Sequence, residues 1–197
     1  MTVKDFLKGR AFRSIVILTV IALCSGLLLA ICNDLLAVSD TERTQRAIKE
    51  VYGKMVKYED YDLKEENKIN EFGTIDTVYL LEDGNYLIKS TGKDGYKNGT
   101  VTCWVAFEFN SGDLKKIKKV VLDSYDKQTL MSQFGSSFYK KFASADVVTD
   151  KTKYFTTENN NGDATNIVAG ATYSSTAIDN SVNSALYFVR NIILGGN

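Results

Sequence analysis

The sequence predicts an α+β protein in which one N-terminal transmembrane helix precedes an outer domain built from a mainly antiparallel sheet and packed helices. Three observations predict this class. Residues 14–32 carry no charged side chain, two turn signatures separate runs of apolar residues, and an apolar stripe at helical spacing lies near the C-terminus. At 197 residues the chain has room for one ordinary domain beyond the membrane segment.

The apolar segment reads SIVILTVIALCSGLLLAIC from Ser14 to Cys32 and lacks the polar stripe that a core helix would show. At about 1.5 Å per residue it spans roughly 28 Å, close to the hydrocarbon thickness of a bilayer. Basic residues precede it and acidic residues follow it. The positive-inside rule therefore predicts a single-pass membrane protein with a cytoplasmic N-terminus and an extracytoplasmic outer domain, and we expect the membrane to be the bacterial cell membrane. These residues are Lys4, Lys8, Arg10 and Arg13 before the span, and Asp34, Asp40 and Glu42 after it.

Two other interpretations of this segment stay open. A cleavable signal peptide would have a shorter apolar region, of about 7–15 residues, followed by an A-x-A-like site that this sequence lacks. A lipoprotein signal would place a small residue before its cysteine, whereas the bulky Ile31 precedes Cys32.

The composition excludes several kinds of chemistry. With no histidine, the chain has no Ser-His-Asp triad and no imidazole ligand for a metal. Its three cysteines show neither a C-x-x-C pair nor a metal-binding spacing, so we expect no metal site and no catalytic side chain. Equal numbers of basic and acidic residues, 24 of each, argue against nucleic acid as a partner. Demanding chemistry would then need a cofactor.

The first half of the outer domain contains a predicted helix and two predicted hairpins. Ser39–Glu42 is a capping-box pattern that precedes apolar residues at helical spacing, and residues 58–73 are expected to form a loop. Asp83-Gly84 predicts a two-residue hairpin turn. In the second hairpin, every second residue from Val101 to Phe109 is apolar, so that one apolar face of the strand points toward a core, and residues 110–113 form the turn. The returning strand carries lysines on a solvated face: Lys115, Lys116, Lys118 and Lys119.

The second half is expected to be helical. Apolar spacing predicts one helix over residues 127–143, a loop over 150–163, and a last helix from about Thr176 to Leu194 whose capping box would pair Thr176 with Asp179. The predicted organisation has four parts: a cytoplasmic N-terminus (1–13), a transmembrane helix (14–37), a helical connector and loop (38–73) and the folded domain (74–197).

The most specific local sequence is Asn166-Ile-Val-Ala-Gly-Ala-Thr-Tyr-Ser-Ser175, a turn of small residues that opens a helix. Gly170 and Ala171 allow close approach of a ligand to the backbone. Thr172, Ser174 and Ser175 offer hydroxyls beside the amides of a helix start, which favours an anion such as phosphate. The alternative from the residues alone is an ordinary capped helix.

The run Gly170-Ala171-Thr172-x-Ser174-Ser175 resembles the covalent-flavin motif of the FMN-binding domain family, roughly D-x-x-S-G-A-T-x-[ST]-S. The resemblance implies that Thr172 carries FMN through a phosphoester bond made by a dedicated flavin transferase. Gly170, Ala171, Ser174 and Ser175 match the residues around the attachment threonine. Asn166 and Ala169 stand where the family has Asp and Ser.

A second segment, Asp94–Gly99, is similar to the family's Gly-Tyr-x-Gly turn, and the resemblance implies that Tyr96 lines the flavin. The family's E-T-P-G-L-G segment has no counterpart in residues 124–129.

The family occurs in the G subunit of Rnf complexes and in the C subunit of the sodium-pumping NADH:quinone reductase. The resemblance implies a membrane-anchored electron-carrying subunit, without independent turnover, of an Rnf-type ion-translocating ferredoxin:NAD oxidoreductase. Its expected partners are the other membrane subunits, the flavin transferase and membrane lipid. The alternatives are the quinone reductase subunit, a free-standing extracellular flavin carrier, or a cofactor-free binding or assembly module.

Overall fold

The computed structural model describes residues 10–36, 39–143, 153–157 and 167–195, which fall into two compact units, Met1–Glu42 and Arg43–Asn197. In the first unit, helix α1 covers Arg10–Leu36. Its stretch Phe12–Asn33 has a mean hydropathy of 2.9, and none of its residues is buried. An exposed apolar helix of 22 residues is long enough to be a signal anchor or a single membrane span.

Helix α2 covers Asp40–Tyr52. The hydroxyl oxygen of Ser39 accepts a hydrogen bond from the backbone N–H of Glu42 at 3.2 Å, which confirms Ser39 as the predicted N-cap. The face of α2 that carries Ala47 and Ile48 is buried.

The second unit contains a five-stranded antiparallel sheet in the order β1-β2-β3-β4-β5. An antiparallel sheet packed against helices confirms the predicted α+β class. The strands are β1 (Tyr58–Asp60), β2 (Gly73–Leu81), β3 (Tyr86–Gly92), β4 (Val101–Asn110) and β5 (Asp113–Tyr125). The edge strand β1 and a 3₁₀ turn at Glu65–Asn67 lie inside residues 58–73, so the loop prediction for that segment was wrong there.

The two hairpin turns differ. Asn110 pairs with Asp113 across a turn in which Ser111 and Gly112 have φ of 53° and 86°, the left-handed pair that a type I′ turn requires. The Asp83-Gly84 turn has three residues rather than the predicted two. There Leu81 pairs with Asn85 through its backbone N–H at 2.9 Å, and Gly84 closes the loop with φ of 78°.

Both faces of the sheet are covered, which corrects the prediction of a single apolar face on β4. Cys103 and its neighbours on one face pack against helices α3 (Ser136–Ala143) and α4 (Thr172–Phe188). Trp104 and Ala106 on the other face pack against α2. A strand buried on both sides must carry apolar residues at successive positions, as β4 does.

The lysines of β5 follow the same two-sided arrangement. Lys115 and Lys116 are exposed, as predicted for a solvated face. Lys118 and Lys119 are partly buried by contacts with α2, where the Lys119 ammonium lies 3.3 Å from the Glu50 carboxylate and the Lys118 ammonium lies 3.9 Å from the Tyr52 ring centre.

Two helix predictions need correction. Instead of one helix over 127–143, the chain forms a 3₁₀ turn at Met131–Gln133 and then α3. Gln128 stays outside both elements because its side chain is hydrogen-bonded to Tyr96 and Ser174. Helix α4 begins at Thr172, four residues before the predicted start, and continues as a π-helical segment at Val189–Ile193. The predicted loop at 150–163 lies largely outside the described residues.

Candidate functional site

The candidate site is the turn that leads into α4. The backbone N–H of Ala171 donates to the Val168 carbonyl at 2.9 Å, and Gly170 has φ of 82°, the value that the third position of a type II turn requires. Within the described part of the chain, a Cβ built on Gly170 would meet no atom within 4 Å. No described residue therefore packs on the turn at Gly170, and the turn places Thr172 at the first helical position.

The three hydroxyls predicted for this site have different environments. The Ser175 side chain is fully buried; its hydroxyl donates to the Ala171 carbonyl at 3.1 Å and accepts from the Val168 N–H at 3.1 Å. Ser174 is 3% exposed and donates to the Gln128 side-chain oxygen at 2.8 Å. Thr172 is exposed, and its hydroxyl makes no hydrogen bond within the described part of the chain. Thr172 is the hydroxyl of the motif that is free to react.

No side chain among the described residues caps the start of α4. Ala171 occupies the N-cap position and has no side-chain oxygen to accept from the first-turn amides. The first backbone bond of the helix runs from the Ser175 N–H to the Ala171 carbonyl at 2.9 Å. The predicted capping box at Thr176 was wrong. Thr176 lies four residues into the helix, and its hydroxyl donates to the Thr172 carbonyl at 3.1 Å. These amides and the helix dipole favour an anion beside Thr172.

Gln128 joins the two predicted segments. It is 6% exposed, and its side-chain oxygen accepts from both the Ser174 hydroxyl and the Tyr96 backbone N–H, the latter at 3.1 Å. Its side-chain nitrogen donates to the Asp126 carbonyl at 2.9 Å. One amide group therefore uses both its oxygen and its nitrogen to hold three stretches of chain together. No local pattern in the sequence marks Gln128 as part of this site.

Two glycines make this arrangement possible. A Cβ on Gly95 would lie 2.5 Å from the Gln128 side-chain nitrogen, and a Cβ on Gly99 would lie 2.6 Å from the same atom. Between them, Tyr96–Asn98 forms a tight turn in which Lys97 and Asn98 have positive φ, of 52° and 57°, and in which the Gly95 N–H donates to the Gly99 carbonyl at 3.0 Å. The spacing of these glycines was the one sequence signal of a close approach at this place.

Helix α4 packs tightly on strand β3. A Cβ on Gly92 would lie 2.1 Å from the Ala177 carbonyl oxygen, which shows how closely the two backbones approach. The Ser90 and Ser181 hydroxyls each donate to the other residue's carbonyl at 2.8 Å. These contacts anchor the first turns of α4, and with them Thr172, to the sheet.

Asp179 lies two turns along α4 from Thr172 and is 2% exposed. Neither carboxylate oxygen has a hydrogen-bond partner among the described residues. Burial raises the pKa of Asp179 to about 8, against a smaller opposing effect of Lys141. This carboxyl is therefore mostly protonated at neutral pH.

The described residues test only part of the motif. Asn166 lies outside them, and Ala169 occupies the second position of the turn before Gly170. No family profile matches the chain, and no curated protein sequence matches it. The described residues nevertheless fit a phosphate-linked flavin. Among them, the exposed Thr172 hydroxyl makes no hydrogen bond, no side chain caps the helix start, and nothing packs on Gly170, while the exposed Tyr96 is joined to Ser174 through Gln128.

Proposed function

We propose that this chain is a membrane-anchored flavoprotein subunit of an Rnf-type electron-transport complex, which carries FMN as a phosphoester on Thr172. One observation carries the proposal. Of the three hydroxyls in the motif, Ser174 and Ser175 are buried and hydrogen-bonded, whereas Thr172 is exposed at a helix start that no side chain among the described residues caps. A motif that served only to cap the helix would use its hydroxyls on those amides.

Attachment requires an activated flavin donor, and a flavin dinucleotide supplies one. The Thr172 hydroxyl oxygen attacks the phosphorus on the riboflavin side of the pyrophosphate. A new P–O bond forms, the anhydride P–O bond breaks, adenosine monophosphate leaves, and the hydroxyl proton passes to the flavin transferase. No electron is gained or lost in this step. Exposure of Thr172 lets the transferase reach it.

The chain's own residues bind and orient the group. The first-turn amides of α4 and its dipole stabilise the phosphate charge at Thr172. Gly170 keeps the turn small enough for the phosphate to approach the backbone. Gln128 holds Tyr96 beside the helix start. The bound flavin supplies one- and two-electron transfer, so no side-chain acid, base or nucleophile is needed for turnover.

Helix α1 would anchor the domain in the cytoplasmic membrane with the flavin on the outer side. A single span cannot enclose an ion pathway by itself, so ion translocation would belong to the partner subunits. A subunit of the sodium-pumping quinone reductase, or a free-standing flavin carrier, would use the same site and would differ in its partners.

The test is co-expression of the full-length chain with a flavin transferase, followed by denaturing electrophoresis and flavin fluorescence in the gel. We expect a fluorescent band for the wild-type chain, and none for Thr172→Ala. Thr176→Ala is the matched control, because it removes a threonine hydroxyl one turn along the same helix; it should retain the fluorescence. A wild-type chain without fluorescence would refute covalent attachment and favour a cofactor-free binding or assembly module.

A further inference from the structure

The exposed tyrosines of this protein belong to three chain segments that meet at Gln128. All eleven tyrosines lie within the described residues, and three of them are exposed: Tyr96 (38%), Tyr125 (53%) and Tyr173 (65%). The other eight are partly buried. Large aromatic side chains grouped on a surface indicate a ligand or partner.

The three tyrosines come from three segments that Gln128 joins. Tyr96 donates its backbone N–H to Gln128. Tyr125 ends β5, three residues before Gln128, and the next residue is held by the Thr100 carbonyl at 2.9 Å. Tyr173 lies between Thr172 and Ser174, whose hydroxyl donates to Gln128. Each segment thus brings one tyrosine to the surroundings of the attachment residue.

We propose that Tyr125 and Tyr173, together with Tyr96, contact the isoalloxazine ring of the FMN carried on Thr172. The inference rests on the proposed function and specifies which residues bind the ring. With the phosphate fixed at the start of α4, the ring must rest on the surface nearby. Neither Tyr125 nor Tyr173 stacks on another aromatic ring among the described residues, so their faces are available to a flat aromatic ligand.

The experiment uses the full-length chain, co-expressed with the flavin transferase and purified in detergent. It compares the wild type with Tyr125→Ala, Tyr173→Ala and the double variant, and with the corresponding phenylalanine variants. The readouts are the flavin content per chain, the fluorescence yield of the attached flavin and its visible circular dichroism. Ile69→Ala is the matched control, since Ile69 is a 75% exposed apolar residue outside these segments.

A tyrosine in contact with a flavin quenches its fluorescence by transient electron transfer, whereas phenylalanine stacks with little quenching. We therefore expect unchanged flavin content in every variant. The alanine variants should show several-fold higher fluorescence and weaker visible circular dichroism. The phenylalanine variants should show higher fluorescence with the circular dichroism retained, and Ile69→Ala should behave as the wild type.

The possible failures are distinguishable. A wild-type chain without flavin would refute the proposed function, and this inference with it. A fully flavinylated double alanine variant with the fluorescence and circular dichroism of the wild type would refute this inference alone. If that variant also failed to co-purify with neighbouring membrane subunits, the tyrosines would form a docking surface and the ring contact would be refuted.

Discussion

Replacing Gln128 with leucine tests the connection between the two segments of the site. Leucine keeps most of the side-chain volume but removes the bonds at 2.8, 3.1 and 2.9 Å to Ser174, Tyr96 and Asp126. The Ser174 hydroxyl would stay buried without its acceptor, whereas Tyr96 and Asp126, which supply the two backbone groups, are exposed residues. A buried unsatisfied hydroxyl costs about 1–3 kcal/mol, and each of the two lost backbone hydrogen bonds costs about 1 kcal/mol or less. The free energy of unfolding should therefore fall by about 3 kcal/mol.

For a domain of this size, a loss of that magnitude lowers the melting temperature by about 10 °C. The assay is thermal unfolding of the full-length chain in detergent, followed by circular dichroism, with flavin content after co-expression as a second readout. The matched control is Gln133→Leu, which places leucine at an exposed glutamine in the 3₁₀ turn that follows. A Gln128→Leu chain that melts with the control and takes up flavin as fast as the wild type would refute the role given to Gln128.

Three further substitutions test the packing. Asp179→Asn should flatten the pH dependence of stability. Between pH 3.8 and about 8 the folded chain holds a proton on Asp179 that the unfolded chain releases, so the free energy of unfolding of the wild type falls as the pH rises through that window, by at most about 1.4 kcal/mol per pH unit. Urea titrations of both chains at several pH values measure this difference. Gly92→Ala should cost about 1–3 kcal/mol, because its Cβ would lie 2.1 Å from the Ala177 carbonyl; unchanged unfolding in urea would contradict that contact. Ile48→Ala should cost about 2–5 kcal/mol if α2 covers the second face of the sheet, and a loss under about 1 kcal/mol would show that it does not.

The sequence predicted best what local rules determine. The Ser39 cap, the turn at Ser111-Gly112 and the apolar α1 all depend on a few neighbouring residues, and the structure contains each of them. The hairpins were found for the same reason, because alternation and turn residues are local signals.

The errors arose where distant residues decide the outcome. Residues 127–130 have helical spacing, yet Gln128 is held by Tyr96 and Ser174, far from it in sequence, and the helix starts later. Alternation on β4 suggested one buried face because nothing in the sequence shows that α2 covers the other. The start of α4 was placed too late because Thr176 resembles a cap, whereas a glycine turn and an alanine N-cap begin the helix.

Attachment of FMN to Thr172 is tested most directly by peptide mass spectrometry of the full-length chain co-expressed with a flavin transferase. We expect the peptide containing Thr172 to gain the mass of one FMN less one water, and fragmentation to localise this gain to Thr172. An unmodified peptide would refute the attachment, and so would a gain localised to Ser174 or Ser175, the two hydroxyls that the structure buries.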